Sequence, residues 1–173
     1  FIGKYMNLAE LNEIDTFIYN NEIKPFLPEK IFDAHTHLII REFYKDLEKK
    51  LPIATFDVDL STLEQWWQAL FPDSQVHGLV MGFPVKDCNI QAINGDLAKN
   101  IASKEKFSIL VHPAMSSQQL EECVLQFKPE GLKPYMVFAD ISEPGQALIT
   151  DMITEQQLAI ADKYKLCVTL HVA

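Results

Sequence analysis

Clusters of basic residues and long apolar runs are both missing from this sequence. Its 15 Lys and Arg residues are outnumbered by 24 Asp and Glu residues, the net charge is −9, and the longest basic run is Lys49-Lys50. Nucleic-acid binding needs a concentrated basic surface, so no nucleic-acid partner is expected. No apolar run approaches the ~20 residues of a membrane-spanning helix, and the N-terminus lacks the basic-then-apolar pattern of a signal peptide. A cytoplasmic protein with no membrane partner is therefore predicted.

Cysteine is also scarce. The three cysteines, Cys88, Cys123 and Cys167, are odd in number and widely spaced, and none belongs to a C-x-x-C pair. This pattern is typical of reduced thiols and supports neither a disulfide framework nor a cysteine zinc site. The chain nevertheless has 173 residues, of which 48% are hydrophobic, so it can bury a sizeable core. Because it begins with Phe1 and not with Met, we expect its natural start to be missing.

Strand-like and helix-like segments alternate from residue 31 onward. Apolar runs predict strands at 31–38, 76–83, 107–111, 131–138 and 166–172, the fourth of them shortened by Pro134. Amphipathic segments between them predict helices, two of which begin at capping boxes headed by Ser116 and Thr154. Strands separated by helices pair in parallel, because only a crossover of that length returns the chain to the same end of a sheet. The predicted fold class is α/β.

Two segments fall outside this alternation. Residues 1–30 are predicted to form an N-terminal helix and an extended lead-in, leaving 31–173 as the α/β domain. After the first strand, a polar helix at 41–50 and a helix opened by a capping box at Ser61 and Glu64 form a long insertion. Loops after barrel strands face the active site, so the insertion is a candidate lid with Trp66 as a substrate contact. The alternative is that its tryptophans are ordinary core residues.

The stretch from Ile31 to Leu38 carries the sequence Asp-Ala-His-Thr-His. Strand side chains alternate between faces, so Asp33, His35 and His37 are predicted to point the same way. Neutral imidazoles are good ligands for zinc and its neighbours. His112 and His171 follow the third strand and end the fifth, and the carboxyl ends of parallel strands can deliver such residues to one point. We predict a metal site at His35, His37 and His171, with His112 as a substrate contact.

Three stretches resemble a known family. F-D-A-H-T-H-L, G-L-K-P-Y and L-C-V-T-L-H, in this order, look like the first, fourth and fifth strands of the amidohydrolase superfamily, particularly its amidohydrolase-related branch. The resemblance covers nearly the whole chain from residue 31 onward. It implies a (β/α)8 TIM barrel, of which this chain holds about the first five strands. His35, His37 and His171 would bind one or two divalent metal ions, most often zinc, with manganese as the alternative.

The resemblance also implies an activity. It predicts a metal-dependent hydrolase, or a non-oxidative decarboxylase, acting on a small polar metabolite with metal-activated water as the nucleophile. Lys133 in G-L-K-P-Y matches the neighbourhood of a lysine that is carboxylated and bridges two metals in binuclear members. Its alternatives are a place beside the site, in contact with substrate, or a plain salt bridge. Asp33 would anchor the first strand or accept a bond from a metal-bound imidazole, and Asp140 would contact substrate or be a solvated loop charge.

The family's sixth-strand His and eighth-strand Asp have no counterpart in this sequence, which stops at Ala173 after a predicted strand. We therefore expect an N-terminal piece of a longer enzyme, inactive alone because the general base is missing. The competing hypothesis is a non-catalytic open-sheet α/β domain, or a barrel that has lost its metal, binding a ligand or a partner. A homo-oligomer is compatible with either.

Overall fold

The computed structural model describes residues 12–52, 54–101 and 103–171. In this part of the chain, parallel strands alternate with helices and form one curled five-stranded sheet in the order β1-β2-β3-β4-β5. The strands are β1 (Lys30–Leu38), β2 (Gln75–Gly82), β3 (Lys106–Val111), β4 (Gly131–Pro134) and β5 (Cys167–Val168). The α/β prediction is confirmed, including the parallel pairing of the strands.

Helices precede the sheet and connect its strands. The α-helices are α1 (Glu13–Ile18), α2 (Leu47–Lys50), α3 (Leu60–Leu70), α4 (Ile90–Asn100), α5 (Ser117–Phe127), α6 (Ile149–Met152) and α7 (Glu155–Tyr164). A π-helical turn spans Tyr19–Ile23, and 3-10 turns span Lys24–Phe26, Arg41–Phe43, Met136–Phe138 and Pro144–Gln146. Within the described ranges, no helix has both the length and the apolar character needed to cross a membrane.

The hydrophobic core lies between the sheet and the helices. Ile109 of β3 is fully buried, as is Leu120 of α5. The apolar stripe of α5, formed by Leu120, Cys123, Val124 and Phe127, is buried as a whole. β3 is buried on both faces from Phe107 to Val111, as is usual for strands of parallel sheets. This burial explains why the strands read as continuous apolar runs.

Two predicted capping boxes are confirmed and one is wrong. Ser116 and Thr154 cap α5 and α7, each with a glutamine three residues later. The third helix instead begins at Leu60 with Asp59 as its cap. The Asp59 carboxylate accepts two bonds at 2.8 Å, one from the Thr62 backbone N–H and one from the Thr62 hydroxyl. An ionised acceptor positioned for both donors is a stronger cap than the Ser61 hydroxyl.

The last two strands are shorter than predicted. β4 ends at Pro134 rather than at residue 138, because proline has no N–H to continue the ladder. The next residues turn into the 3-10 helix Met136–Phe138. Among the described strands, β5 pairs only with β4, so its pairing stops where β4 ends. The last backbone hydrogen bond between them runs from the Thr169 N–H to the Leu132 carbonyl.

The segments around the first strand also differ from expectation. Part of the predicted N-terminal helix lies outside the described residues, and α1 runs on through π and 3-10 turns, leaving only 27–29 as a lead-in. The polar helix predicted at 41–50 is broken into a 3-10 turn and α2 by Asp46, which has a φ of 51°. The Tyr44 hydroxyl donates to the Phe83 carbonyl at 3.0 Å. This bond holds the insertion against the carboxyl end of β2.

Candidate metal centre

The surroundings of Gly82 show which face of the sheet packs against the helices. A Cβ added to Gly82 would lie 2.2 Å from Ile93 of α4, so this position faces the helices. Its neighbours along the strands therefore point the other way. We call that side the inner face. It carries a row of residues paired across all five strands: His37, Met81, Ser108, Gly131 and Cys167.

A β-bulge in β1 separates Asp33 from this face. Asp33 pairs with Gly78 and Thr36 pairs with Val80, so three steps along β1 match two steps along β2. The extra residue breaks the strict alternation of side chains. A Cβ on Gly78 would lie 2.8 Å from the Trp67 ring of α3, so this position faces the helices. Asp33 is paired with Gly78 and therefore faces the helices as well. The prediction that Asp33 shares a face with both histidines is therefore wrong.

The Asp33 carboxylate anchors the strand. One oxygen accepts from the His35 backbone N–H at 3.1 Å, and the other accepts from the Trp67 indole N–H at 3.4 Å. Neither bond reaches an imidazole ring. Of the two roles predicted for Asp33, this geometry corresponds to fixing the first strand, here by tying the bulge to α3.

His35 and His37 converge on one point of the inner face. Their Nε2 atoms are 3.0 Å apart, and Nδ1 of His37 lies 3.0 Å from the Gly82 carbonyl oxygen. A carbonyl only accepts, so His37 donates through Nδ1–H and keeps a lone pair on Nε2. Burial, the largest cause, lowers the pKa of His37 to about 4 and also lowers that of His35. Both rings are thus favoured in the neutral form that binds metals.

The histidine pair fits a divalent ion. Zinc binds imidazole nitrogen at about 2.0–2.1 Å, so two Nε2 atoms 3.0 Å apart can both reach one ion. Orientation of a ligating ring by a backbone carbonyl, as Gly82 does for His37, is common in metal sites. Across residues 12–52, 54–101 and 103–171, however, no three His, Cys, Asp or Glu side chains lie close enough together to hold a metal. The structure brings together two of the three predicted ligands.

Among the described residues, His171 does not join the pair as a third ligand. Its ring packs against Tyr135 with 4.6 Å between centroids. Tyr135 thus lies beside the predicted third ligand, a position that the sequence did not single out.

Lys133 is the buried cation of this region. It stands two residues after Gly131 on β4 and so shares the inner face. Its side chain is 0% exposed, and Nζ has no hydrogen-bond partner among the described residues. Burial lowers the pKa of Lys133 to about 8, and its charge lowers the pKa of both His35 and His37. A plain salt bridge, one of the alternatives for Lys133, therefore has no counterpart in the described part of the chain.

Ser108 is a second buried polar residue that the sequence analysis did not select. It is 0% exposed, and its hydroxyl has no partner within the described ranges. A Cβ on Gly131 would lie 2.5 Å from Ser108 Oγ and 2.4 Å from Cys167 Sγ, so the three residues are in close contact. The sequence feature that could have identified Ser108 is a single serine inside the apolar strand FSILV.

His112 lies away from the histidine pair. Its ring packs against Phe138 with 5.5 Å between centroids, and Nδ1 accepts from the Ala114 backbone N–H at 3.1 Å. The same side chain lines a cleft of about 510 Å³ that is bounded by residues of α4 and α5, Gln91 and Gln119 among them. The structure thus associates His112 with the helical side of the domain.

The other two predicted contacts also lie apart from the pair. Trp66 is half-buried and packs edge-on against Phe56 with 6.5 Å between centroids. Asp140 is exposed in the loop after β4. Among the described residues, the hydrogen bonds and ring contacts link neither side chain to His35 or His37.

The inner face thus combines two neutral imidazoles, a buried ammonium and a buried hydroxyl. Imidazoles can hold a metal ion, and an ammonium with a hydroxyl can hold an anion. Such a mixture of metal ligands and anion-binding donors suits the activation of a small polar substrate. Comparisons of the chain with protein-family models, with curated proteins and with solved structures found no match.

Proposed function

We propose that this chain is the N-terminal portion of a metal-dependent enzyme of the amidohydrolase type, built on a (β/α)8 barrel. The observation that carries the proposal is the convergence of the His35 and His37 Nε2 atoms, 3.0 Å apart, on the inner face of a curled parallel sheet. Active sites of such barrels lie at the carboxyl ends of the strands. His37 and the Gly82 carbonyl that orients it are the last inner-face residue of β1 and the last residue of β2.

The proposed reaction is hydrolysis, or non-oxidative decarboxylation, of a small polar metabolite. A bound zinc or manganese ion would lower the pKa of a water molecule so that hydroxide is available near neutral pH. His35 and His37 would hold the ion, and the Gly82 carbonyl would keep His37 in the ligating tautomer. His171, next to Tyr135, would supply the third nitrogen. Lys133 would supply positive charge beside the substrate.

Metal content tests this proposal. The wild-type chain, purified with zinc and dialysed, is expected to retain about one equivalent per chain, and His35→Ala and His37→Ala to retain less than about a tenth of that, because each removes a ligand. The measurement is inductively coupled plasma mass spectrometry. His77→Gln is the matched control: His77 lies at the other end of β2, with Nδ1 2.8 Å from Glu105, and glutamine keeps a donor for that carboxylate.

Two outcomes would contradict the proposal. One is a wild-type protein that takes up neither zinc nor manganese. The other is metal that stays bound in both alanine variants but is lost in His77→Gln, which would move the metal site to the opposite end of the sheet. Circular dichroism of each variant confirms that the comparison is made between folded proteins.

A further inference from the structure

Two polar atoms on the inner face are buried without a partner. Lys133 Nζ and Ser108 Oγ are both inaccessible, and neither makes a hydrogen bond with any described residue. Ser108 pairs with Gly131, and Lys133 lies two residues further along the same strand, so both side chains point to the same side of the sheet. The residues come from adjacent strands and belong to the face that carries His37.

Leaving these two groups unpaired costs free energy. A buried ammonium is unfavourable unless an anion or several acceptors surround it, and a buried hydroxyl is unfavourable without an acceptor. The Tyr135 ring offsets part of the cost, since Lys133 Nζ lies 5.3 Å from its centroid, within cation–π range. A ring face accepts no more than one of the three N–H bonds. Native proteins rarely keep such groups unless a ligand or a function uses them.

We propose that Lys133 and Ser108 bind a carboxylate group of the substrate. An ammonium and a hydroxyl on adjacent strands are donors of the kind that carboxylate oxygens accept, and the single positive charge matches a monoanion. The neighbouring imidazoles are neutral and add no further charge. The site deepens the proposed function, on which it rests, by naming the substrate as a small carboxylic acid whose reactive carbon would lie toward His35 and His37. Tyr135 must turn aside to admit the ligand.

Acetate is the probe for this site, and acetamide is its neutral counterpart of the same shape. Titrations are followed by nuclear magnetic resonance line broadening of 13C-labelled acetate, with EDTA present so that no metal can bind the probe. The wild-type chain is expected to bind acetate with a Kd of about 1–10 mM and acetamide at least about tenfold more weakly. Lys133→Met is expected to weaken acetate binding at least about tenfold and Ser108→Ala about threefold, because each removes one donor.

Lys106→Met is the matched control. Lys106 lies on β3, is largely exposed and pairs with Glu130 at 2.8 Å, so its loss should leave acetate binding unchanged. Equal acetate binding by wild type and Lys133→Met would overturn the proposal, as would equal binding of acetate and acetamide. A carbamate signal at Lys133 after incubation with 13C-bicarbonate, in place of acetate binding, would also overturn it. Lys133→Gln provides a second variant if the methionine variant does not fold.

The outcomes separate this site from the metal site. Acetate binding that depends on Lys133 in a protein that takes up no zinc would support the carboxylate site and contradict the proposed function. Zinc binding that depends on His35, in a protein whose acetate binding is unchanged by Lys133→Met, would support the proposed function and contradict the carboxylate site.

Discussion

Lys133→Met is expected to stabilise the metal-free chain against unfolding by about 2–3 kcal/mol near pH 7, because it removes a buried charge that has no partner. Methionine keeps most of the side-chain volume, so the packing beside Tyr135 is retained. The measurement is urea denaturation in EDTA, and Lys106→Met, which loses only an exposed ion pair, should change stability by less than about 1 kcal/mol. If Lys133→Met were less stable than wild type, the charge of Lys133 would stabilise the native state, contrary to this prediction.

The pH dependence of the free energy of unfolding tests the same prediction in a second way. The pKa of Lys133 is lowered from 10.5 to about 8 by burial. Between these two values the unfolded chain holds a proton that the folded chain has released, so stability rises with pH in this window. The difference in free energy of unfolding between Lys133→Met and wild type should therefore decrease by about 2 kcal/mol between about pH 7 and 9.5. A difference that does not change with pH would mean that folding releases no proton from Lys133, so that its pKa is not lowered and the lysine stays charged in the folded protein throughout this window.

Gly131→Ala is expected to destabilise the domain by about 3 kcal/mol. The added Cβ would lie 2.4 Å from Cys167 Sγ, 2.5 Å from Ser108 Oγ and 2.9 Å from the Cys167 carbonyl oxygen. The side chains can shift, but the carbonyl belongs to β5, which can move only by weakening its pairing with β4. Only glycine therefore lets the three strands approach this closely below the proposed carboxylate site.

Gly95→Ala is the matched control for this substitution. Gly95 lies inside α4, and a Cβ there would have no atom within 4 Å. Because alanine is the better helix former, Gly95→Ala should stabilise the chain by about 0.5–1 kcal/mol. Both variants are measured by urea denaturation, and effects of the same sign and size would contradict the packing described at the strand junction.

Local signals accounted for much of the fold. β2 and β3 appear within one residue of their predicted positions, and the caps at Ser116 and Thr154 are where the sequence placed them. Each of these features depends on residues within a few positions of one another. The early end of β4 was also visible in principle, since Pro134 cannot donate to a neighbouring strand.

Features that depend on pairing between distant segments were not predictable in the same way. The bulge that turns Asp33 away from the histidines exists only in the register of β1 against β2. Asp33 and Trp67 are linked across 34 positions of sequence. The importance of Ser108 likewise follows from its closeness to Gly131 and Cys167, which no single-strand pattern reveals.

His35 and His37 are proposed to hold one divalent ion between their Nε2 atoms. Anomalous diffraction at the zinc absorption edge, from crystals grown with zinc, tests it most directly. One strong peak is expected about 2.0–2.1 Å from both Nε2 atoms, with the His171 ring turned toward it. Crystals with ordered His35 and His37 rings that show no anomalous peak between them, or a peak only beside His77 and Glu105, would contradict it.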